Sequence, residues 1–332
     1  MNMRFGLLGA GRIGRIHGLN VAARGDARLV AVADASAEAA ASLAELAGAE
    51  VAGAEAILGN PEIDAVMICT PTDTHADLIE KAVSAGKAVF CEKPVDLDAA
   101  RIRRCLDIVE KSGRPLMIGF NRRFDPNFAA LEKRLRQGEA GEIEIVSVIS
   151  RDPGPPPVDY VRRSGGLFRD MMIHDFDMAR FLLAEEPVEV FALGSALVDK
   201  AIGEAGDVDT AAVVMKTASG RIAQISNSRR ATYGYDQRIE VHGAKGMLRA
   251  GNIHETTVEI ATGSGFRTDP VQNFFLERYA AAYRAELDAF VAVCAGKAAP
   301  SPDGYDGLRA QLLADAATLS ARTGKPVTIE VA

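Results

Sequence analysis

The N-terminal stretch constrains this chain most. Met3 to Leu8 is an apolar run of buried-strand length, and it passes at once into Gly9-Ala10-Gly11-Arg12-Ile13-Gly14 and a helix-forming segment. A strand that turns through such glycines into a helix opens a βαβ unit. The glycines permit the tight turn, the close approach of a pyrophosphate to the backbone, and packing of helix on strand, while the helix N-terminus offers unpaired N–H donors. The spacing alone is common. Here a second strand, Ala27 to Ala33, ends in Asp34, where an acidic side chain can bond the hydroxyls of an adenosine ribose. Asp34 either does that or caps the following helix. A ribose-binding carboxylate would repel a 2'-phosphate, so the expected cofactor is NAD and not NADP.

Strand and helix keep alternating: Ala65 to Cys69, a helix from about Asp73 to Ala85, Ala88 to Cys91, a helix from Leu97 to Lys111, and Leu116 to Gly119. The pattern predicts an α/β fold that begins as a doubly wound parallel sheet, the Rossmann arrangement. Ligands of such sheets lie beyond the carboxyl ends of the strands, which selects Thr70, Pro71, Glu92 and Lys93 beside the glycine turn with its Arg12 and Ile13. His75 either touches the cofactor or is solvated at a helix start. Lys93 stands between a buried strand and Pro94, a place for a ligand-facing ammonium and for a cis peptide bond.

After Phe120 come Asn121-Arg122-Arg123 and a helix from about Asn127 to Gln137 that Gly138 and Gly141 end. Longer alternating runs follow at Glu142 to Ser150, Glu189 to Leu197, Thr210 to Lys216, Arg221 to Ser228 and Arg238 to His242. Period two with little intervening helix predicts an α+β domain whose large mixed or antiparallel sheet has one face covered and one open to an oligomer interface. Pro153 to Pro157 cannot pair as a central strand. Phe274 to Ala295 and Tyr305 to Thr323 read as closing helices before a terminal strand. The expected division is residues 1–120 for the dinucleotide and 121–332 for substrate and oligomerisation.

Within Gly165 to Leu183, Asp170 and His174 are four apart, which at helical spacing places them on one face. A histidine on so apolar a helix is ordinarily a hydrogen-bonded core residue. Asp177, three beyond it, either orients the imidazole or pairs with Arg180. A formal charge of −7 without a basic stripe argues against nucleic acid. The apolar runs are too short to cross a bilayer and the start lacks a signal-peptide layout, so a cytoplasmic location is expected. Cys69, Cys91, Cys105 and Cys294 have neither zinc-ligand nor CxxC spacing and read as reduced thiols, with no metal site.

Taken together, GLLGAGRIGRIH, CTPTDTH, CEKPVD, GFNRRFDPNF and SGGLFRDMMIHDFDMARFL resemble the Gfo/Idh/MocA oxidoreductase family, nearly end to end. SRDPGPPP, ISNSRRATYGYDQRIEVHG and FFLERYAAAYRAELDAF are similar to its inositol-oxidising members. The resemblance implies Lys93, Asp170 and His174 as catalytic trio and a homotetramer formed through the open sheet. It implies NAD-dependent oxidation of myo-inositol to the 2-ketone. Scyllo-inositol, another isomer or an aldose is the alternative substrate within that class. A glycosidase that retains NAD, or a sensor that only binds it, stands outside it. Chemically, His174, with an ordinary pKa of roughly 6.5, suits the proton acceptor. Asp170 would fix substrate and charge balance, and Lys93 would stabilise negative charge on the reacting oxygen. A polyol needs further polar contacts, for which Arg122, Asp152, Tyr233 and Tyr235 are candidates. Equally, Arg122 could meet a phosphate or an interface carboxylate, Asp152 could cap a turn, and the tyrosines could pack at a subunit boundary.

Overall fold

The computed structural model describes residues 2–330 and divides them into two compact units. The first holds residues through Asn121 together with Ala282–Gln311; the second holds Arg122–Ala281 and the segment from Leu312 onward.

In the first unit β1 (Met3–Leu8), α1 (Arg12–Ala22), β2 (Ala27–Ala33), α2 (Ala37–Ala47), β3 (Glu50–Val51), α3 (Ala54–Gly59) and β4 (Ala65–Ile68) follow one another. They lead into α4 (His75–Ser84), β5 (Ala88–Glu92), α5 (Ala99–Ser112) and β6 (Leu116–Gly119). The six strands lie in the order β3-β2-β1-β4-β5-β6, all parallel, as the alternation predicts. Each central strand is apolar on both faces: Phe5, Leu7, Val66, Met67, Val89 and Phe90 have no exposed surface. That is the pattern of strands covered by helices on two sides. Helix starts are set by side chains: Ser36 accepts from the Ala39 N–H and Asp98 from the Ala100 N–H. The helix expected from Asp73 begins instead as a 3-10 turn, Thr72–Thr74, and becomes regular at His75.

A single cut after Phe120 does not describe the division. The helix Ala280–Cys294 carries Phe290, whose ring lies 6.0 Å from Phe5 and 5.6 Å from Phe90, and Ile118 N–H donates to the Pro302 carbonyl at 3.0 Å. Aromatic packing and this extra pairing on β6 draw residues 282–311 back to the first unit. The long expected helix Phe274–Ala295 is also broken, into Phe275–Arg278 and Ala280–Cys294.

The second unit runs α6 (Pro126–Arg136), β7 (Ile143–Arg151), α7 (Val158–Ser164), α8 (Ile173–Leu183), β8 (Pro187–Ser195), α9 (Lys200–Glu204) and β9 (Thr210–Thr217). Then come β10 (Ile222–Ser228), β11 (Asp236–Gly243), β12 (Gly246–Ala250), the hairpin β13 (Glu259–Thr262) and β14 (Gly265–Thr268), and β15 (Val327–Thr328). Seven strands form a sheet in the order β12-β11-β7-β10-β9-β8-β15, in which only the β7–β10 pair is parallel. Alternation sends Val146, Val148, Ala223 and Ile225 to the covered face, on which α8 packs, and leaves Leu193 and Val214 exposed on the other. Strand β12, the β13–β14 hairpin and the short helices α7 and α9 lie outside the expected elements. Pro153 to Pro157 form the irregular link between β7 and α7.

The glycine turn between β1 and α1 shows why each glycine is there. Gly9 has φ +97°, and a Cβ on it would fall 2.5 Å from the Cys69 carbonyl oxygen. One on Gly14 would fall 1.8 Å from the Gly9 oxygen, a backbone atom that cannot give way. Around Gly11 nothing lies within 4 Å. Gly14→Ala is therefore expected to lose roughly 2–3 kcal/mol or more of stability in urea unfolding, whereas Gly11→Ala keeps wild-type stability and weakens dinucleotide binding; equal stability of both variants would contradict this.

Candidate active site

At the carboxyl edge of the first unit's sheet the expected residues divide by role. Open space at Gly11, the N-cap of α1, leaves room for a pyrophosphate against backbone N–H groups, so the turn fits a dinucleotide. Arg12 is exposed there and Ile13 half-buried. Asp34 accepts the Ala10 N–H at 2.6 Å through Oδ2 and the Ser36 N–H at 2.7 Å through Oδ1. The cap of α2 is Ser36, so Asp34 instead ties the end of β2 to the glycine turn, and each oxygen keeps a lone pair for a hydroxyl.

Thr70 lies half-buried after β4 and its hydroxyl accepts from Thr74 Oγ1 at 2.7 Å; Pro71 is exposed. His75 is neither solvated nor surface-placed. It is buried, with Nδ1 2.7 Å from the Pro94 carbonyl and Nε2 2.8 Å from the Thr70 carbonyl, and so straps the exits of β4 and β5 together. Burial pushes its pKa down, against the pull of the two carbonyls. Lys93 is half-buried directly after β5, and the Lys93–Pro94 peptide bond is cis.

Glu92 turns into the unit. Its Oε1 is 2.8 Å from His17 Nε2, and it occupies the room left by Gly119, where a Cβ would lie 3.0 Å from Oε2. Nearby, Glu286 on the helix Ala280–Cys294 has no exposed surface, and neither carboxylate oxygen meets a hydrogen-bond partner among the described residues. Burial, reinforced by the charge of Glu92, raises the Glu286 carboxyl well above its ordinary range.

In the second unit the stretch from Gly165 is not one regular helix. Gly165 and Gly166 have φ +86° and +81°, and a Cβ on Gly166 would meet Asp207 Oδ1 at 2.5 Å. Only glycine lets the chain pass so close that the Leu167 N–H donates to both Asp207 oxygens, at 3.1 and 3.0 Å. A wide π-type turn, Leu167–Met171, follows, closed by Met172 N–H to the Leu167 carbonyl at 2.9 Å. Asp170 rides on this turn, and His174 is the second residue of α8. Asp170 Oδ1 accepts from the Tyr160 hydroxyl at 2.9 Å, and Oδ2 lies 3.5 Å from Arg229 Nη2.

Arg122 is buried and engaged: it donates to Asp175 and, at 3.2 Å, to Ser150 Oγ, while Asn227 Nδ2 donates to the other Asp175 oxygen at 2.8 Å. Its partner is thus a carboxylate of its own unit. Asp177 receives the Arg123 fork at 2.8 and 2.5 Å, with Arg180 Nη1 at 3.6 Å. Asp152 follows β7; burial raises its pKa to about 6 against the opposing charges of Arg229 and Arg122. Tyr235 is buried edge-on to Tyr279, with centroids 6.0 Å apart, and burial pushes its phenol up. Tyr233 faces outward, donating to Asp236 at 2.6 Å and accepting from Arg151 at 3.2 Å. Among the described residues no group of three or more His, Cys, Asp or Glu could hold a metal ion, and no helix is long and apolar enough to cross a membrane.

A parallel dinucleotide-type sheet joined to a mixed sheet with an acidic, hydroxyl-lined end is the plan of a two-part dehydrogenase. Residues 3–120 match the oxidoreductase family described as having an NAD-binding Rossmann fold, and residues 128–249 match the Gfo/Idh/MocA C-terminal domain. The chain is 57% identical over 329 residues to an inositol 2-dehydrogenase of Rhizobium meliloti, covering 99% of this chain and 100% of that one. A myo-inositol dehydrogenase structure from Corynebacterium glutamicum superposes with TM-score 0.96 at 45% identity, covering 100% of both chains. The structure of myo-inositol dehydrogenase from Lactobacillus casei in complex with NAD(H) and myo-inositol gives TM-score 0.89 at 26% identity, covering 100% of this chain and 98% of that one. The chain belongs to the Gfo/Idh/MocA oxidoreductase family, and its cofactor is NAD.

Arg229, Tyr160, Asp175 and Asn227 were not singled out from the sequence, yet a signal for two of them exists. On the covered face, β7 reads Val146, Val148, Ser150, and β10 reads Ala223, Ile225, Asn227 before Arg229. An inward register that turns polar at one end of the sheet marks a site. A test of the buried acid concerns stability: a carboxyl whose folded pKa is raised contributes most below its free value of 4.5, and that contribution is lost as pH climbs toward the folded pKa. Glu286→Gln is expected to gain stability relative to wild type as pH rises from ~4.5 to ~8; calorimetric melts across that range check it, and a difference that does not change with pH would contradict it.

Proposed function

We propose that the chain oxidises myo-inositol at one secondary carbinol to the 2-keto-inositol, with residues 1–120 holding NAD and the remainder holding the polyol. The observation that carries this reading is the polar set around Asp170. Two acids, Asp170 and Asp152, stand with Tyr160 and Arg229 at the polar end of a sheet face, a surface of acceptors and donors suited to a ring of hydroxyls and too acidic for an anionic substrate. Bound NAD supplies the hydride acceptor.

The roles then follow from chemistry. His174 takes the hydroxyl proton as hydride leaves carbon, and Asp170 accepts a neighbouring hydroxyl and balances the imidazolium. Lys93 donates to the reacting oxygen and stabilises its negative charge, so no Lewis acid is required of the protein. Asp152 is an anionic acceptor above its pKa of about 6. Tyr235 adds a phenol donor, whereas Tyr233 and Arg122 support these groups through Asp236 and Asp175. Asp34 receives the ribose hydroxyls, and Gly9, Gly11, Arg12, Ile13 and Gly14 the pyrophosphate; Thr70, Pro71, His75 and Glu92 shape the crevice. We assign the protein to the cytoplasm and to inositol catabolism as a homotetramer built on the open face of the second sheet, whose outward Leu193 and Val214 support an interface.

NADH should appear when myo-inositol and NAD are supplied, with NADP a poor substitute; preference for NADP would overturn the role of Asp34. His174→Ala and Lys93→Ala should each lower kcat by about 10²- to 10⁴-fold while dissociation constants for NAD stay near wild type. Wild-type turnover in both variants would defeat the assignment. Running scyllo-inositol, aldoses and aryl glycosides in the same assay separates the substrates, and glycoside cleavage without net NADH would replace the dehydrogenase reading.

A further inference from the structure

We propose that Arg229 is a further residue of the polyol subsite: it holds the second oxygen of Asp170 and presents its remaining buried N–H donors to a substrate oxygen. The inference rests on the polyol reading above and adds a residue to it.

The placement comes from strand register. Ser228 of β10 pairs with Arg151 of β7, the two strands being parallel. One residue further along each strand stand Arg229 and Asp152, with the Asp152 N–H donating to the Ser228 carbonyl at 3.0 Å and the Arg229 N–H to the Asp209 carbonyl at 2.8 Å. Both backbones are therefore fixed at one end of the sheet. Both side chains continue the inward parity of their strands, after Ser150 and Asn227. Arg229 is 2% exposed.

The second observation concerns donors. The other buried guanidinium groups of this unit are each hydrogen-bonded to a carboxylate: Arg122 to Asp175, Arg123 to Asp177, Arg278 to Asp125 and Arg180 to the half-buried Glu186. Arg229 differs. Its Nη2 lies 3.5 Å from Asp170 Oδ2, a charge contact without hydrogen-bond alignment, and both Nε and Nη2 are buried without a hydrogen-bond partner. Leaving charged donors unmet in a dry interior is costly, and such groups are rare unless something else completes them. Because Nη2 faces the carboxylate assigned to substrate, a hydroxyl held by Asp170 lies within reach of the same guanidinium. A planar fork donating to a hydroxyl whose proton goes to a carboxylate satisfies all three groups.

The charge also acts on the neighbours. Asp152 is faced by Arg229, Arg122, Asp170 and Asp175, and Arg229 is the leading influence that keeps its carboxyl from rising further. Removing that cation while keeping the fold should therefore move the acid limb of the polyol reaction to higher pH. A role in packing alone would leave the limb in place.

The test uses the full-length enzyme. Affinity for myo-inositol is measured by calorimetry on the NADH complex, and kcat/KM for myo-inositol is followed against pH, in wild type, Arg229→Gln and Arg229→Lys. Both variants should bind myo-inositol about 10- to 100-fold more weakly while NADH affinity stays within about twofold. The acid limb should shift upward in Arg229→Gln and return in Arg229→Lys, which keeps charge but loses the fork. Should Arg229→Gln fail to fold, Arg229→Lys decides through its loss of polyol affinity. Wild-type polyol affinity in either folded variant, or equal loss of polyol and NADH affinity, overturns the proposal. Failure of wild-type enzyme to bind any inositol would instead count against the substrate reading.

Discussion

The second unit depends on buried ion pairs that fasten α8. Asp175 and Asp177, neither of them exposed, follow His174 on α8, and each is held by an arginine from the short turn after β6: Arg122 and Arg123. An apolar helix lying on an apolar sheet can rotate or slide at modest cost, because hydrophobic contact has no direction. Two buried carboxylates with fixed partners remove that freedom, since breaking such a pair leaves an uncompensated charge worth about 3–5 kcal/mol. His174 inherits its position from neighbours that do no chemistry. Arg122 also adds positive charge, second to Arg229, at the end of the sheet where Asp152 and Asp170 stand.

The first unit solves a related problem without arginine. Its glycine turn needs backbone within contact distance of backbone, and Gly9, Gly14 and the Cys69 carbonyl leave no space for a side chain. In the same unit the acid Glu92 is placed against His17, and burial together with the charge of Glu92 raises the carboxyl of Glu286. Such a raised carboxyl costs stability as pH climbs. Lys93 follows Glu92 directly, so the same local packing that fixes one end of β5 fixes where the lysine leaves the strand.

Much of this was legible in the sequence. Apolar runs separated by glycine turns gave β1, β2 and β6 their bounds, because short-range hydrophobic patterning decides where a buried strand ends. The Rossmann sheet, the mixed sheet, the family and the cofactor are all supported. Long-range packing was not legible. Phe290 reaches back to Phe5 and Phe90 across most of the chain, so the helix carrying it joins the first unit although its position in sequence suggests the second. His75 reads as a polar helix-start residue, yet two carbonyls give it a buried place. The wide turn at Leu167–Met171 depends on a carboxylate forty residues later, Asp207, which no local pattern announces. Arg122 and Tyr233 read as candidate ligand contacts in the sequence, and the carboxylates they engage, Asp175 and Asp236, are given only by the fold.

The four cysteines, all free, bring a last consequence. Cys69, Cys91 and Cys105 are buried, and Cys294 is partly so; burial lifts the first two thiols well above their ordinary range and the others to about 12. Alkylation and oxidation proceed through the thiolate, which is scarce in every one of these positions at neutral pH. A catalyst of redox chemistry thus keeps its own sulfur out of reach, and air or maleimide should find little on the folded protein to attack.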